Sequence, residues 1–449
     1  MKQERRGAMF DQLQVLKYYL YYRHFLHFST RKKLMRWQAK KLRRHLSFVG
    51  KHTKIYQGMT SLKEYPLADK EFMMRHFNEL NTVEVRRKEA EAFAIKAERD
   101  RNFQPKLHGV TVGLSSGTSG RRGIFLVSDR ERLRWAGYIL AKFLPGSIFH
   151  TYSIAFFMRA DSNLYESLGS RRIQFHFFDI YQEMESHRDR LCQLQPDILV
   201  GQPSVLLQIA EDRKQGACEL TPRVVISIAE VLERDQEERL KQAFGVSIIH
   251  QVYQCTEGFL AATCSKGTLH LNEDIVHIDR EYLDERRFAP IVTDFERKAQ
   301  PIIRYRLNDI LIEKKRTCSC GSPCLALEKI EGREDDVFYF AGKNGKKQMV
   351  FPDFIRRCVL FGDTRDMNLK SDYRVVQNTD GSIVICGDWN RDEKKRIEQE
   401  FFQLAEDRDL ILPKIVFHPC ACELGRKMKR VERKRDEKES RKEKKNENT

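Results

Sequence analysis

The chain has 449 residues, 81 Lys and Arg against 64 Asp and Glu, a formal net charge of +17 and 41% apolar side chains. That length suits two to four domains with a real core, which excludes a chain disordered throughout, and no run of about 18 apolar residues exists to cross a bilayer. The first residues lead into no signal-type apolar stretch, and eleven Cys in such a chain favour thiols or metal ligands over a disulfide framework, so a cytoplasmic protein is expected.

In chain order, residues 1–60 carry fifteen Lys and Arg but only Glu4 and Asp11 as acids. Helical spacing of apolar residues predicts helices over 10–27, 31–48 and 69–80. From 110 to 200, short β-branched and aromatic runs (VTVGLSS, GIFLVS, SIAFFM, RIQFHFF, DILVG) alternate with charged, helix-like stretches. Such alternation implies an α/β layer with parallel sheet. It continues through TPRVVISIAEVL, a helix over 233–244 and VSIIHQVY. Residues 268–313 read as antiparallel β. The best domain boundary falls near Glu331, Gly332 and Arg333. A last segment mixes strands (DVFYF, YRVVQ, SIVICGDW, PKIVFH) with helices over 352–361 and 391–406. Beyond Val431 the tail is polar and expected to be mobile. The basic ends fit either solvated helix faces or contacts with nucleic acid or anionic lipid; no base-reading motif accompanies them.

The most informative stretch is SSGTSGRRG at 115–123, set between two strand-like runs. Gly117, Gly120 and Gly123 let the backbone approach a ligand closely, the Ser and Thr hydroxyls donate, and Arg121 and Arg122 add charge. Together they describe a cradle for phosphate oxygens, although the Walker spacing is absent.

Four motifs in order then carry a family resemblance: SSGTSG at 115–120, YQCTEG at 253–258, RYRLND at 304–309 and GREDD at 332–336. They resemble those of adenylate-forming enzymes, in particular the branch containing phenylacetate–CoA ligases and coenzyme F adenylating synthetases, over residues from about 60 to 431. The resemblance implies an α/β fold: a large N-terminal adenylation domain with mixed sheets and a β subdomain (1–331, including the basic helical segment 1–60), a small mobile α+β lid domain (332–431), and a charged tail (432–449).

It also implies activation of a carboxylic acid by ATP and Mg²⁺ to an acyl-adenylate, with release of pyrophosphate. Transfer to the thiol of CoA or of an acyl-carrier protein would follow. An anionic carboxylate attacking an anionic phosphate needs positioning and charge neutralisation above all. By the resemblance, Ser116, Gly117, Thr118, Ser119 and Gly120 would hold the β- and γ-phosphates. Thr256 would contact the α-phosphate, and Glu257 would coordinate Mg²⁺, a hard ion that prefers oxygen. Tyr253 would stack on adenine, with Ala229 and Glu230 lining the nucleotide's other side. Asp309 would accept hydrogen bonds from the ribose, Arg333 would reach the ribose, and Asp335 would be the hinge. Lys427 would bridge the carboxylate and the α-phosphate. The chain departs from the family pattern at Arg121, Arg122, Gln254, Asn308 and Arg426, which puts the substrate in doubt more than the first half-reaction. The same branch often carries a zinc site, which here implies structural Zn²⁺ on Cys264, His270, Cys318 and Cys320. Cys324 is a reserve ligand, and Cys420 and Cys422 with His418 form a competing set.

Three alternatives share these residues: an amide ligase, an adenylyl transferase using the same chemistry, and a zinc-containing nucleic-acid-binding protein without activity. The enzyme is the favoured reading and nucleic acid is not the expected partner. Phe156, Phe157, Phe175, Phe177 and Phe178 fit strand core better than the lining of a pocket for an aromatic acid.

Overall fold

The computed structural model describes residues 2–100, 102–115, 123–158, 170, 172–180, 182, 184–362, 373–419 and 430–434. The chain divides into two units: 1–307 with 311–329, and 308–310 with 330–449.

In the first unit, strands β1 (Val110–Leu114) and β2 (Ile124–Ser128) form an antiparallel hairpin. Val110, Val112, Ile124 and Leu126 pack it onto helix Arg87–Arg99 through Ala90 and Ala94. Five strands follow: β3 (Tyr152–Met158), β4 (Ile173–Asp179), β5 (Ile198–Gly201), β6 (Val224–Ile228) and β7 (Ile249–Cys255). They pair in parallel in the order β4-β3-β5-β6-β7. β3, β5 and β6 are largely buried and almost continuously apolar, as parallel strands covered on both faces must be, whereas β4 carries Gln174 and His176 and β7 carries His250, Gln251 and Gln254. Ile154, Phe156, Val200 and Ile226 face helix Asp129–Phe143 and the N-terminal helix Lys2–Leu20. Ala155, Phe157, Leu199 and Val225 face helices Met184–Leu194, Pro203–Lys214 and Arg234–Phe244. The five phenylalanines divide between these faces: Phe156, Phe175 and Phe177 in one core, Phe157 stacked on Phe178 at 4.6 Å in the other. They are strand core.

Gly137 shows why the N-terminal helix packs so closely on helix Asp129–Phe143. A Cβ there would lie 2.5 Å from Tyr18 Cβ and 2.8 Å from the Val15 carbonyl oxygen. Only a residue without a side chain admits that approach.

After β7 the sheet turns antiparallel through β8 (Gly258–Thr263) and β9 (Leu269–Leu271). It continues with β10 (Val276–Tyr282), β11 (Arg287–Asp294), β12 (Ile302–Arg306), β13 (Asp309–Glu313) and β14 (Ala326–Arg333). The second unit builds its own core from Phe338, Ile355, Val375, Ile385, Ile397 and Phe401. Strands β15 (Phe338–Ala341) and β16 (Lys347–Val350) pair antiparallel, and a four-stranded sheet orders β19 (Ile415–His418), β18 (Ile383–Cys386), β17 (Arg374–Gln377) and β20 (Val431–Arg433). Among the described residues no helix is long and apolar enough to cross a membrane.

The helices expected over 10–27 and 31–48 are longer here: Lys2–Leu20 runs into the π-turn Tyr21–Phe25, and the second helix is Arg31–His52. The helix expected over 69–80 breaks at His76 into Lys70–Arg75 and Phe77–Leu80. Cys192 and Cys218 form a disulfide, where the sequence reading had favoured thiols or metal ligands over a disulfide framework. The two lie 26 residues apart and meet because the core below β3 and β5 brings their elements together.

Candidate active site and metal centre

The phosphate-loop residues Ser116, Gly117, Thr118, Ser119 and Gly120 lie outside the described residues, as do Arg121 and Arg122. The stem that presents them is described. The Ser115 amide donates to the Gly123 carbonyl at 2.8 Å, and the Gly123 amide donates to Ser115 Oγ at 2.7 Å.

The β7–β8 turn places Thr256 and Glu257 between paired residues Cys255 and Gly258. Tyr253 is buried two residues before this turn, next to a register shift in the ladder. On the neighbouring parallel strand, Ile228 pairs with Val252, so Ala229 and Glu230 leave β6 beside Tyr253. Ala229 has φ +65°, a left-handed conformation that an alanine adopts only under constraint from its surroundings. The Glu230 amide donates back to the Ile228 carbonyl at 2.8 Å, folding this turn over the strand end. Ala229, Glu230, Tyr253, Thr256 and Glu257 thus gather at the carboxyl ends of two adjacent parallel strands, the usual ligand crevice of an α/β sheet.

Side chains that no short motif marks hold the hairpin to this turn. Arg297 donates from Nη1 to the Thr256 carbonyl at 3.1 Å and from Nη2 to the Leu126 carbonyl at 3.0 Å. Gln300 accepts from the Leu126 amide at 2.9 Å and donates to the Ile124 carbonyl at 3.2 Å. The segment carrying both is anchored by Glu131, whose Oε1 accepts from the Ala299 amide at 2.9 Å. The β7–β8 turn and the strand that leaves the Ser/Gly loop are therefore fastened to one guanidinium. Tyr305, on β12, shares a side-chain hydrogen bond with Glu257; burial first, then the Glu257 charge, push its phenol far above the usual range. Buried Asp294 lies beside the turn as well: a Cβ on Gly258 would lie 3.3 Å from its Oδ2. Burial raises the Asp294 carboxyl to about 7.

Asp309 and Arg333 belong to the second unit. There Arg333 Nε lies 3.5 Å from Asp309 Oδ1, and the Glu334 amide donates to the Asn308 carbonyl at 2.7 Å. Asp335 sits in the 3₁₀ turn Glu334–Asp336 that follows. Lys427 lies outside the described residues, as do Arg426, Cys420 and Cys422.

Cys264, His270, Cys318 and Cys320 come together with all four ligand atoms within 4.8 Å of one another. Two turns bring them there. The Gly267 amide donates to the Cys264 carbonyl at 3.0 Å, and the Gly321 amide to the Cys318 carbonyl at 3.4 Å. Both glycines are left-handed, at φ +75° and +76°. Amides of Lys266 and Ser322 point at the sulfurs of Cys264 and Cys320, each at 3.4 Å. The donor set fits zinc. Tetrahedral Zn²⁺ with its usual bond lengths needs sulfurs about 3.8 Å apart and a sulfur–nitrogen edge of about 3.5 Å. Cys264 and Cys318 sulfurs are 3.8 Å apart, and Cys320 Sγ is 3.4 Å from His270 Nε2. His270 Nδ1 lies 3.0 Å from the Cys324 carbonyl. Donation there leaves Nε2 free to ligate, the usual outer support of a metal-binding imidazole. Cys324 thus contributes its backbone, while burial holds its thiol up at about 12.

No family profile matches the chain. It is 29% identical over 173 residues to the indoleacetate–lysine synthetase of Pseudomonas savastanoi, a stretch covering 36% of this chain and 40% of that protein. The match therefore spans less than half of the relative's length. A crystal structure of 2-hydroxyisobutyryl-CoA ligase in the postadenylation state superposes with a TM-score of 0.63 at 14% identity, covering 91% of both chains. An open conformation of that ligase with its acyl-adenylate and CoA gives 0.54 at 15% identity, covering 89% of this chain and 91% of the other. The fold is that of the adenylate-forming ligases, as the four ordered motifs implied.

Proposed function

We propose that the protein is an ATP- and Mg²⁺-dependent ligase that activates a carboxylic acid as its acyl-adenylate, releasing pyrophosphate. The observation that carries this reading is the Arg297 bridge. It brings a Thr–Glu turn and the stem of a Ser/Gly loop to one place, beside the carboxyl ends of β6 and β7. The hydroxyl-rich loop would receive the β- and γ-phosphates, Thr256 the α-phosphate, and Glu257 the magnesium that offsets their charge. Tyr305, bonded to Glu257, would keep that carboxylate aimed. Tyr253 and the Ala229–Glu230 turn would flank adenine. In the second unit, Asp309 and Arg333 would hold the ribose, Asp335 would act as hinge, and Lys427 would arrive with the lid. The first unit would be the adenylation domain and the second the lid domain.

Cys264, His270, Cys318 and Cys320 would hold a structural Zn²⁺. Four protein ligands leave no open position, so its contribution is to clip the segment after β8 to the segment after β13.

For the acceptor, a thiol of CoA or of an acyl-carrier protein is the first reading. An amine is the second, favoured by the relative named for joining indoleacetate to lysine, which also makes an aryl acid worth first trial. Hydroxylamine trapping of activated acids over a broad panel tests the adenylation step. Lys427→Ala should abolish the signal and Cys324→Ser should not. Absence of ATP-dependent pyrophosphate release with every acid in the panel, together with no ATP binding by calorimetry, would end the proposal.

A further inference from the structure

We propose that Gln202 selects the acid, favouring a carboxylic acid whose body carries a neutral oxygen acceptor such as a hydroxyl or a carbonyl. The proposal rests on the ligase reading and names the substrate class of that same site. Gln202 follows Gly201, the last residue of β5, in extended conformation (φ −70°, ψ 148°) and precedes Pro203, which opens helix Pro203–Lys214. It is 4% exposed, and among the described residues its Nε2 has no hydrogen-bond partner. A buried amide N–H with no acceptor costs stability, so this one calls for a partner that the chain itself does not supply.

The register of the parallel sheet shows what surrounds it. Phe156 pairs with Val200, Gly201 with Ser227 and Ile228 with Val252. Met158, Gln202, Ile228 and Val252 therefore fall in one row across β3, β5, β6 and β7. Side chains along a strand alternate between its faces. Ile198 and Val200 face helix Asp129–Phe143, whereas a Cβ on Gly201 would meet Phe157 and Leu206 in the opposite core. Gln202 thus returns to the first face, where Met158, Ile228 and Val252 also pack. Burial thins along that face. Phe156, Val200 and Ile226 are buried, but one row on, Met158 and Val252 are only half-buried. The face opens at the carboxyl ends of the strands, where ligands enter an α/β sheet.

Trp135, on helix Asp129–Phe143, stands at this opening. Its Nε1 donates to Gln254 Oε1 at 3.2 Å, which holds Gln254 on the same face as Val252. Tyr253, between those two residues, alternates to the other face, so the adenine proposed to lie on it stays apart from this crevice. Gln254 comes two residues before Thr256, the proposed α-phosphate contact. An acid joined to that phosphate would run back along β7 past Gln254, with Gln202 two strands, or about 10 Å, to the side. Nε2 donates only, so what it receives is an acceptor. The row beside it is apolar and a carboxamide carries no charge, so an ionised acceptor would lose its water without a counter-charge; a neutral one suits the place.

The test compares pyrophosphate release with pairs of acids that differ only in a hydroxyl against a methyl group, such as a hydroxyphenylacetate and the matching methylphenylacetate, over several ring positions and aliphatic chain lengths. The parent should favour the hydroxyl member of at least one pair in kcat/KM by about 10–100-fold, the worth of pairing one buried donor. Gln202→Met, which keeps the length and removes the donor, should bring that ratio close to one. Its melting temperature without substrate should hold or rise, because an orphaned donor leaves the interior. A Gln202 that served only the fold would give a lower melting temperature and an equal loss on both members of the pair. That result, an unchanged ratio in Gln202→Met, or a parent that favours no hydroxyl member would overturn the proposal. A parent that activates no acid and binds no ATP would instead refute the ligase reading, and this proposal with it, before any variant is compared.

Discussion

Removing one of the four proposed zinc ligands gives the sharpest test of the Cys/His cluster as a metal centre. In Cys318→Ser, the sulfur that sits 3.8 Å from Cys264 becomes a hydroxyl, a poor zinc ligand, and the tetrahedral set drops to three. The clip it breaks joins residues 54 apart in sequence. Treated as a crosslink, closure of a loop that long is worth about 4 kcal/mol. Strand pairing of β9 with β8 and β14 already shortens the loop, so this is an upper figure. For a unit of roughly 300 residues, at about 2.1 cal/mol/K of unfolding entropy per residue, it translates to about 6 °C in melting temperature. Metal content by plasma mass spectrometry should fall from one zinc per chain to a small fraction, and a chelator should lower the parent's melting temperature by a similar amount. Cys324→Ser is the control, because its carbonyl and not its thiol serves the site. Zinc-free parent protein, or equal metal loss in Cys324→Ser and Cys318→Ser, would refute the assignment.

Glu257→Gln should lower pyrophosphate release with any accepted acid by about 10²–10³-fold. Tyr305→Phe, which removes one hydrogen bond to that carboxylate, should lower it about tenfold and raise the magnesium needed for half-maximal rate. Arg297→Met leaves two carbonyls without their donor and should destabilise the first unit by about 3 kcal/mol in urea titrations. Arg297→Lys should recover little, since an ammonium lacks the fork that reaches both oxygens. Asp294 holds its proton to about pH 7 when folded, against about 4 when unfolded. The folded state thus binds the extra proton, and stability should fall as pH rises from about 4 to 7, by an amount on the order of 4 kcal/mol; Asp294→Asn should flatten that slope. His45 works in the opposite sense. Burial first, then Lys298, lower its pKa to about 3, and neither ring nitrogen has a hydrogen-bond partner. The unfolded chain takes up that proton first, so stability should fall on acidification from about 6.5 toward 3. His45→Phe should blunt that loss.

Much of the architecture was legible in the residues themselves. Continuous runs such as DILVG and VVISI can be buried on two faces only in a parallel layer, and the alternating segment after residue 268 had to lie at an antiparallel edge. The clustering of Cys264, His270, Cys318 and Cys320 was expected from the family resemblance, and it is local chemistry too: each pair sits on one turn with a left-handed Gly. Tyr253, Thr256 and Glu257 were singled out by the same resemblance, through one short motif that spans the end of β7 and the turn after it.

What the sequence could not supply was the fastening between distant segments. Arg297 and Gln300 look like ordinary polar residues, yet they satisfy backbone groups of β2 and of the Thr256 turn, and Glu131 holds their segment in place through the Ala299 amide. Nothing in their own neighbourhoods signals this, because a hydrogen bond across 41 or 171 residues is decided by where the sheet puts two backbones. Cys192 and Cys218 met for the same reason. Local chemistry is written in short stretches of chain; which of those stretches become neighbours is fixed only when apolar burial closes the core around them.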